Sequence, residues 1–145
     1  MAWVVDTCLL IDIFEDDPAF GTPSADLLAL CAEEGLVVSP ATYVELAPYF
    51  GGDLDLQNEF LGGVGVDYRE AWTWEDSLRA HAAWHTHTLL RRSGHARKRP
   101  LADILIGAFA QRFSGLLTRN PADFSATFQD LTLRLPVLPA SEAEA

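Results

Sequence analysis

A chain of 145 residues with 49% hydrophobic content can bury one sizeable core and is too short for two well-built ones. Ten Lys and Arg against 21 Asp and Glu leave a net charge of -11, which excludes nucleic-acid binding through the general surface, because the average field repels phosphates. No uncharged apolar stretch approaches the roughly 20 residues of a membrane-spanning helix, and the first residues lack the basic flank and cleavage site of a secretion signal, so a soluble, cytoplasmic protein is expected.

Trp3 to Val5 form a short apolar run ending at Asp6, and the apolar spacing of the next segment, TCLLIDIF, predicts strand then helix. Thr22 and Pro23 read as the cap and first position of a second helix that stops before Gly35. Residues 36–39, β-branched and bounded by Gly35 and Pro40, read as a buried strand. After Pro40 a short helix carries Thr42, Glu45 and Tyr49 along roughly one face, limited by Pro48 and the Gly51-Gly52 pair. A helical pattern follows from Asp53 to Leu61, and residues 62–68 supply a short strand or a turn. Thr73 caps a long helix with Glu75 and Asp76 in its first turn, Arg91 and Arg92 in its last, and Gly94 as its stop. Pro100 opens an apolar helix in which Asp103 is the only acid, and residues 116–118 resemble a strand. Asn120-Pro121 begins a turn, residues 121–128 suggest one or two helical turns, residues 131–138 resemble a last strand, and 141–145 are expected to form a flexible tail. Alternating strand and helix predicts an α/β domain over residues 1–140, built on a mainly parallel sheet.

In such sheets the functional crevice lies beyond the carboxyl ends of the strands, where Asp6 and Asn120 fall. Glu45 and Asp103 sit in helices that are otherwise largely apolar, where an uncompensated carboxylate costs several kcal/mol. Without an obvious interior lysine or arginine near Asp103, a hard divalent cation serves these acids best, and magnesium or manganese fits carboxylate and water ligands. Such an ion polarises phosphoryl oxygens and lowers the pKa of bound water, which points to phosphodiester hydrolysis. Arg91, Arg92, Arg97, Lys98 and Arg99 concentrate half of the basic residues in one stretch just before Asp103, a local basic patch on an acidic body.

Four blocks, VVDTCLLIDIF at 4–14, YVEL at 43–46, PLADILIGAFA at 100–110 and LLTRNPADF at 116–124, resemble in order and spacing the PIN-domain nucleases, in particular the VapC-like toxins of bacterial toxin–antitoxin pairs. The resemblance implies a three-layer α/β/α fold, Mg²⁺-dependent endoribonuclease activity on an RNA substrate, a homodimer, and inhibition by a cognate antitoxin. Carried over by position, Asp6, Glu45 and Asp103 are the metal ligands and water activators, with Thr7 the hydroxyl residue beside the first. Many relatives place an acid where this chain has Asn120, and Asp123, three residues on, is the candidate to supply the missing charge. Thr118 and Arg119 are candidates to orient the phosphate or the loop, and Arg97, Lys98 and Arg99 to contact RNA.

Other features carry plainer readings. Asp12, Glu15, Asp16 and Asp17 are read as solvated or loop acids. His81 and His85 have the i, i+4 spacing of a zinc site, but Ala82 replaces the glutamate a HExxH protease needs, so these two and His87 are read as helix-surface or interface residues. Trp72, Trp74 and Trp84 are read as core or dimer anchors, and Cys8 and Cys31 as buried thiols. Three alternatives remain open: a non-toxin PIN RNA-processing nuclease, a phosphotransferase of the haloacid-dehalogenase type, which usually needs a second acid where this chain has Cys8, and a non-catalytic receiver-like module that binds an ion and a protein.

Overall fold

In a computed structural model, which describes residues 1–94 and 101–139, strands and helices alternate from the first residues. β1 (Trp3–Val5) leads into α1 (Thr7–Phe14) and α2 (Gly21–Cys31), and β2 (Leu36–Val37) into α3 (Pro40–Glu45), a 3-10 turn (Ala47–Phe50) and α4 (Leu54–Gly63). β3 (Val66–Asp67) precedes α5 (Trp74–Arg92) and α6 (Leu101–Ala110), followed by β4 (Gly115–Leu117), α7 (Ala122–Ser125) and β5 (Leu133–Arg134). The strands form one sheet in the order β3-β2-β1-β4-β5, and every neighbouring pair is parallel.

Side chains alternate across the sheet with the strand period of two. Trp3, Val5, Leu36 and Leu117 enter a core with Leu9 and Leu10 of α1, Leu27 and Leu28 of α2, and Leu61 of α4. Val4, Val37 and Leu116 enter a second core with Ala80 and Ala83 of α5, Ile104 and Phe109 of α6, and Phe124 of α7. Both faces are covered, so the strands read as unbroken apolar runs rather than alternating ones. Full burial of one Val or Leu side chain is worth about 1.5–3 kcal/mol, enough for two- and three-residue strands to hold. The expected three-layer α/β/α, PIN-like arrangement is the one observed. Among the described residues no helix is long and apolar enough to cross a membrane.

Local differences from the sequence reading have physical causes. α2 begins at Gly21 rather than after Thr22, because the Asp17 carboxylate accepts from the main-chain N–H of Ala19 and Phe20, both at 2.9 Å, and starts the turn earlier. Those bonds hold the Asp17 carboxyl below its usual range. β2 ends at Val37, and Ser39 instead caps α3, its Oγ accepting from Thr42 N at 3.2 Å. Of residues 62–68, expected as strand or turn, Val66 and Asp67 contribute β3 at the sheet edge. Asp12, read as a solvated or loop acid, is a correction: it lies inside α1 at 3% exposure, paired with Arg119. His87 is a second one, since it is buried while His81 and His85 are exposed. The tail at 141–145 and the basic residues Arg97, Lys98 and Arg99 lie outside the described residues.

One polar clamp ties the long helix to the rest. Thr73 and Asp76 form a capping box at the start of α5. The buried Asp76 carboxylate also accepts from Arg79 and from Arg112 Nε (3.1 Å) and Nη2 (3.0 Å). Arg112 reaches on to Glu70 at 3.2 Å and lies over the rings of Phe109 and Phe113. Burial alone would push the Asp76 carboxyl up, but the Arg112 hydrogen bonds, the Thr73 N–H and Arg79 together hold it below the usual carboxylate range.

Candidate active site

From β1 the chain winds outward through β2 and β3, then crosses to β4 and β5 on the other side. Connections leave β1 and β4 in opposite directions, which opens a crevice at their carboxyl ends. Asp6 is the first residue after β1 and Thr118 the first after β4. Thr118 Oγ1 donates to Asp6 Oδ2 at 2.7 Å, and Asp6 N donates to Leu117 O at 2.9 Å. Asp6 also caps α1, accepting from Thr7 N at 2.8 Å and from Cys8 Sγ at 3.4 Å. Among the described residues its donors are a hydroxyl, a main-chain N–H and a thiol, all neutral. Burial raises the Asp6 carboxyl above its ordinary value, outweighing those hydrogen bonds, and the negative charge of Glu45 raises it further.

Glu45 is the last residue of α3, whose start is set by the Ser39 cap and Pro40 at the first position. Thr7 Oγ1 lies 2.8 Å from Glu45 Oε1 and 3.0 Å from Thr42 Oγ1. A hydroxyl has one proton and an ionised carboxylate has none, so Thr7 donates to Glu45 and Thr42 donates to Thr7. Ser39 Oγ, 3.5 Å from Thr42 Oγ1, stands at the other end. A row of hydroxyls therefore runs from the α3 cap to the Glu45 carboxylate and crosses beside Asp6.

The remaining expected residues are placed as follows. Asp103 is half-buried in the first turn of α6, which packs on α3 and β1. Because α6 leads into β4, this first turn lies at the carboxyl edge of the sheet. Among the described residues no group of three or more His, Cys, Asp or Glu stands ready to hold a metal ion. Asp6 and Glu45 are thus brought together, and Asp103 shares their edge without completing a three-carboxylate cluster. Asn120 N donates to Thr118 Oγ1 at 3.1 Å, and Asp123 N, in the first turn of α7, donates to Asn120 O at 3.0 Å. Arg119 turns toward α1: its Nε is 2.7 Å from Asp12 Oδ2, and its guanidinium lies 4.4 Å from the Phe20 ring centre. It fastens the loop after β4 to α1.

The donor chemistry fits magnesium. Asp6, Glu45, Thr7 and Thr118 present hard oxygens, and among the described residues no Lys or Arg pairs with the buried Asp6 carboxylate. Magnesium keeps several waters and needs only one or two carboxylates from protein. The Cys8 thiol is pushed up to about 12 by burial and by the Asp6 charge, so it stays protonated and serves Asp6 as a donor. Where a haloacid-dehalogenase-type enzyme needs a second acid, this chain thus has a neutral one. Beside Glu45 opens a cleft of about 450 Å³ between α3 and α6, walled by Pro40, Ala41, Val44, Trp72, Leu101, Ala102 and Leu105.

Ser39 and Thr42 join the site although the sequence assigns neither a role there, Thr42 being placed only on the helical face of Glu45. A signal for them exists: Thr42 precedes Glu45 by three positions on one helical face, and Ser-Pro is a helix start.

No protein-family model matches the sequence, and no curated protein matches it. Among solved structures, a chain in the crystal structure of VapBC2 from Rickettsia felis, bound to a DNA fragment from the promoter, aligns with a TM-score of 0.68 at 15% identity, covering 93% of this chain and 98% of that one. The likeness runs nearly end to end at an identity too low to speak of anything but shape, and what it establishes is that this chain has the fold of a chain from a VapBC complex.

Proposed function

We propose that this chain is a Mg²⁺-dependent endoribonuclease and the toxin component of a toxin–antitoxin pair. The observation that carries the reading is the junction of Asp6, Thr7, Glu45 and Thr118 at the sheet's switch point, where the buried Asp6 carboxylate has only neutral donors among the described residues. The fold shared with a chain of a VapBC complex supports the toxin assignment.

Asp6, Glu45 and Asp103 would hold the ion, with Mn²⁺ able to substitute. Bound there, magnesium supplies Lewis acidity to the phosphoryl group and acidity to a coordinated water. Thr118 and the α1 start fix the Asp6 carboxylate so that it need not reorganise. Glu45, exposed at the end of α3 and anchored through one oxygen by Thr7, is the base that takes a proton from the attacking water. Asn120 and Asp123 close the site on the β4 side, and Arg97, Lys98 and Arg99 draw the RNA backbone toward an otherwise repelling body. The apolar cleft beside Glu45 offers an antitoxin segment both apolar anchorage and access to the acids. The chain would work as a homodimer in the cytoplasm.

The test is cleavage of a broad RNA panel with magnesium and with chelator. Asp6→Asn and Asp103→Asn should each lower the rate by on the order of 100-fold or more while the fold survives. Equal cleavage by both variants and the unaltered protein would refute the reading. A non-catalytic, ion-binding module is the second reading, favoured by the lack of a ready three-acid cluster among the described residues. Calorimetric magnesium binding without cleavage of any RNA would select it. A neighbouring reading frame encoding a DNA-binding N-terminus and a flexible C-terminus separates a toxin from a housekeeping RNA-processing nuclease.

A further inference from the structure

α5 is the longest helix among the described residues, and only one side of it is used by the fold. Asp76, Ala80, Ala83 and His87 are its buried residues. At about 100° per residue, the direction opposite that face is occupied by Trp74, Leu78, His81, His85, Leu89 and Arg92, all within roughly 45° of one line. Trp74 is 71% exposed, Leu78 54% and Leu89 50%, values too high for residues serving this chain's own core. His81 and His85 are exposed in the middle of the stripe, one helical turn apart. That spacing lets two imidazoles bind one transition-metal ion, since side chains at i and i+4 lie one above the other.

The stripe has an internal symmetry. Ala83 is the middle residue of Trp74–Arg92, and the two histidines flank it at equal distance. Turned end over end about that point, the stripe maps onto itself: His81 meets His85, Trp74 meets Arg92, and Leu78 meets the turn that carries Leu89. Charge agrees with this arrangement. Glu75 stands in the first turn and Arg91 and Arg92 in the last, so antiparallel association sets an acidic end beside a basic one, and Trp74 receives a guanidinium. Parallel association would set like charges together.

We propose that α5 packs antiparallel against α5 of a second copy of this chain and that His81 and His85 of both copies together hold one zinc ion. Four imidazole nitrogens form the closed tetrahedral set that zinc favours, whereas a single copy leaves half of the coordination sphere to water. Three apolar side chains per copy are few against the roughly 20–30 residues a side of a standard interface, so the ion governs whether the pairing forms. The site lies on the opposite side of the α5–α6 layer from the sheet, and its test is independent of the nuclease reading.

The experiment is light scattering and zinc calorimetry on the full chain after chelator treatment, with magnesium as control. The expected result is His81- and His85-dependent uptake of one zinc per two chains, with the mass rising from 15.9 kDa to twice that value, and no change of mass with magnesium. H81A/H85A should lose the zinc uptake and the mass change together, and Leu78→Glu should weaken zinc-driven pairing by about tenfold, because two glutamates then face an apolar seam. One zinc per chain, an unchanged mass, or an undiminished response in H81A/H85A would each overturn the proposal. Far-ultraviolet circular dichroism of the variants separates loss of the site from loss of the fold.

Discussion

Asp6 and Asp76 are both buried carboxylates that cap a helix, yet their surroundings are opposite. Asp76 has two guanidinium partners, Arg112 and Arg79, and its carboxyl is held low. Asp6 has a hydroxyl, an N–H and a thiol, stands near a second carboxylate, and its carboxyl is pushed up. Where the chain needs a structural anion it supplies the cation from its own sequence. At the carboxyl edge of the sheet the described residues supply no cation to Asp6, at a cost to stability that the proposed ion would relieve. Buried acids become informative about function only when their partners are counted.

The largest effect that would test this contrast is on stability at Asp76. Asp76→Ala leaves Arg112 with Glu70 as its remaining anion and removes the capping box, and should lower unfolding stability by about 2–3 kcal/mol in urea denaturation. Arg79, a third exposed, accounts for the smaller part. The pH dependence follows from the same pair. A carboxyl lowered in the fold contributes stability that is present above its unfolded value of 3.8 and is lost as pH falls through the folded value. Denaturation midpoints should therefore fall steeply below about pH 4 in the unaltered protein and more gently in Asp76→Asn. Identical acid profiles would show that the clamp does not carry the charge assigned to it.

A smaller effect belongs to Asp6 and has the other sign. Magnesium at about ten times its Kd should raise unfolding stability by roughly 1.4 kcal/mol, because it binds only the folded chain. That gain should vanish in Asp6→Asn and persist in a folded Arg79→Ala, a variant that weakens only the structural acid. Without metal, Asp6→Asn should be at least as stable as the unaltered protein, since the amide oxygen keeps the helix cap and the amide NH2 donates to Thr118 Oγ1 in a reversed hydrogen bond, while a disfavoured charge is removed. A magnesium response of equal size in Asp6→Asn would remove Asp6 from the site.

Much of this contrast is legible in the amino-acid sequence. The parallel sheet follows from apolar runs alternating with capped helices, and Asp6 and Glu45 stand out as acids at a strand end and on a short helix. Asp12 marks where local reasoning stops. An acid in an apolar helix requires a positive partner, which holds for Asp103 and equally for Asp12, whose partner Arg119 comes from 107 positions away. Nothing local marks such a pair, because it depends on how β4 sits against β1. His87 escapes for a related reason: three histidines at spacings of four and two cannot share one helical face, and the third turns inward. The start of α2 is ambiguous in sequence because Thr22 and Asp17 are both good caps, and it is Asp17 whose carboxylate takes the main-chain N–H groups of Ala19 and Phe20.

The finest discrimination concerns the hydroxyl row that joins the two acids' surroundings. Thr42 is wholly buried and touches no reacting group, so it is a positioning residue for Glu45 acting through Thr7. Thr42→Val keeps volume and removes the donor to Thr7, so the Thr7 hydroxyl loses the neighbour that polarises it toward the carboxylate. Stability should fall by about 1 kcal/mol, the net worth of one buried hydrogen bond, and Thr42→Ser should restore most of it. If the row only braces α3, magnesium affinity measured by calorimetry will be the same in both variants. If it aims Glu45 at the ion, Thr42→Val should weaken magnesium binding by a few fold, and up to about tenfold, while Thr42→Ser stays close to the unaltered protein.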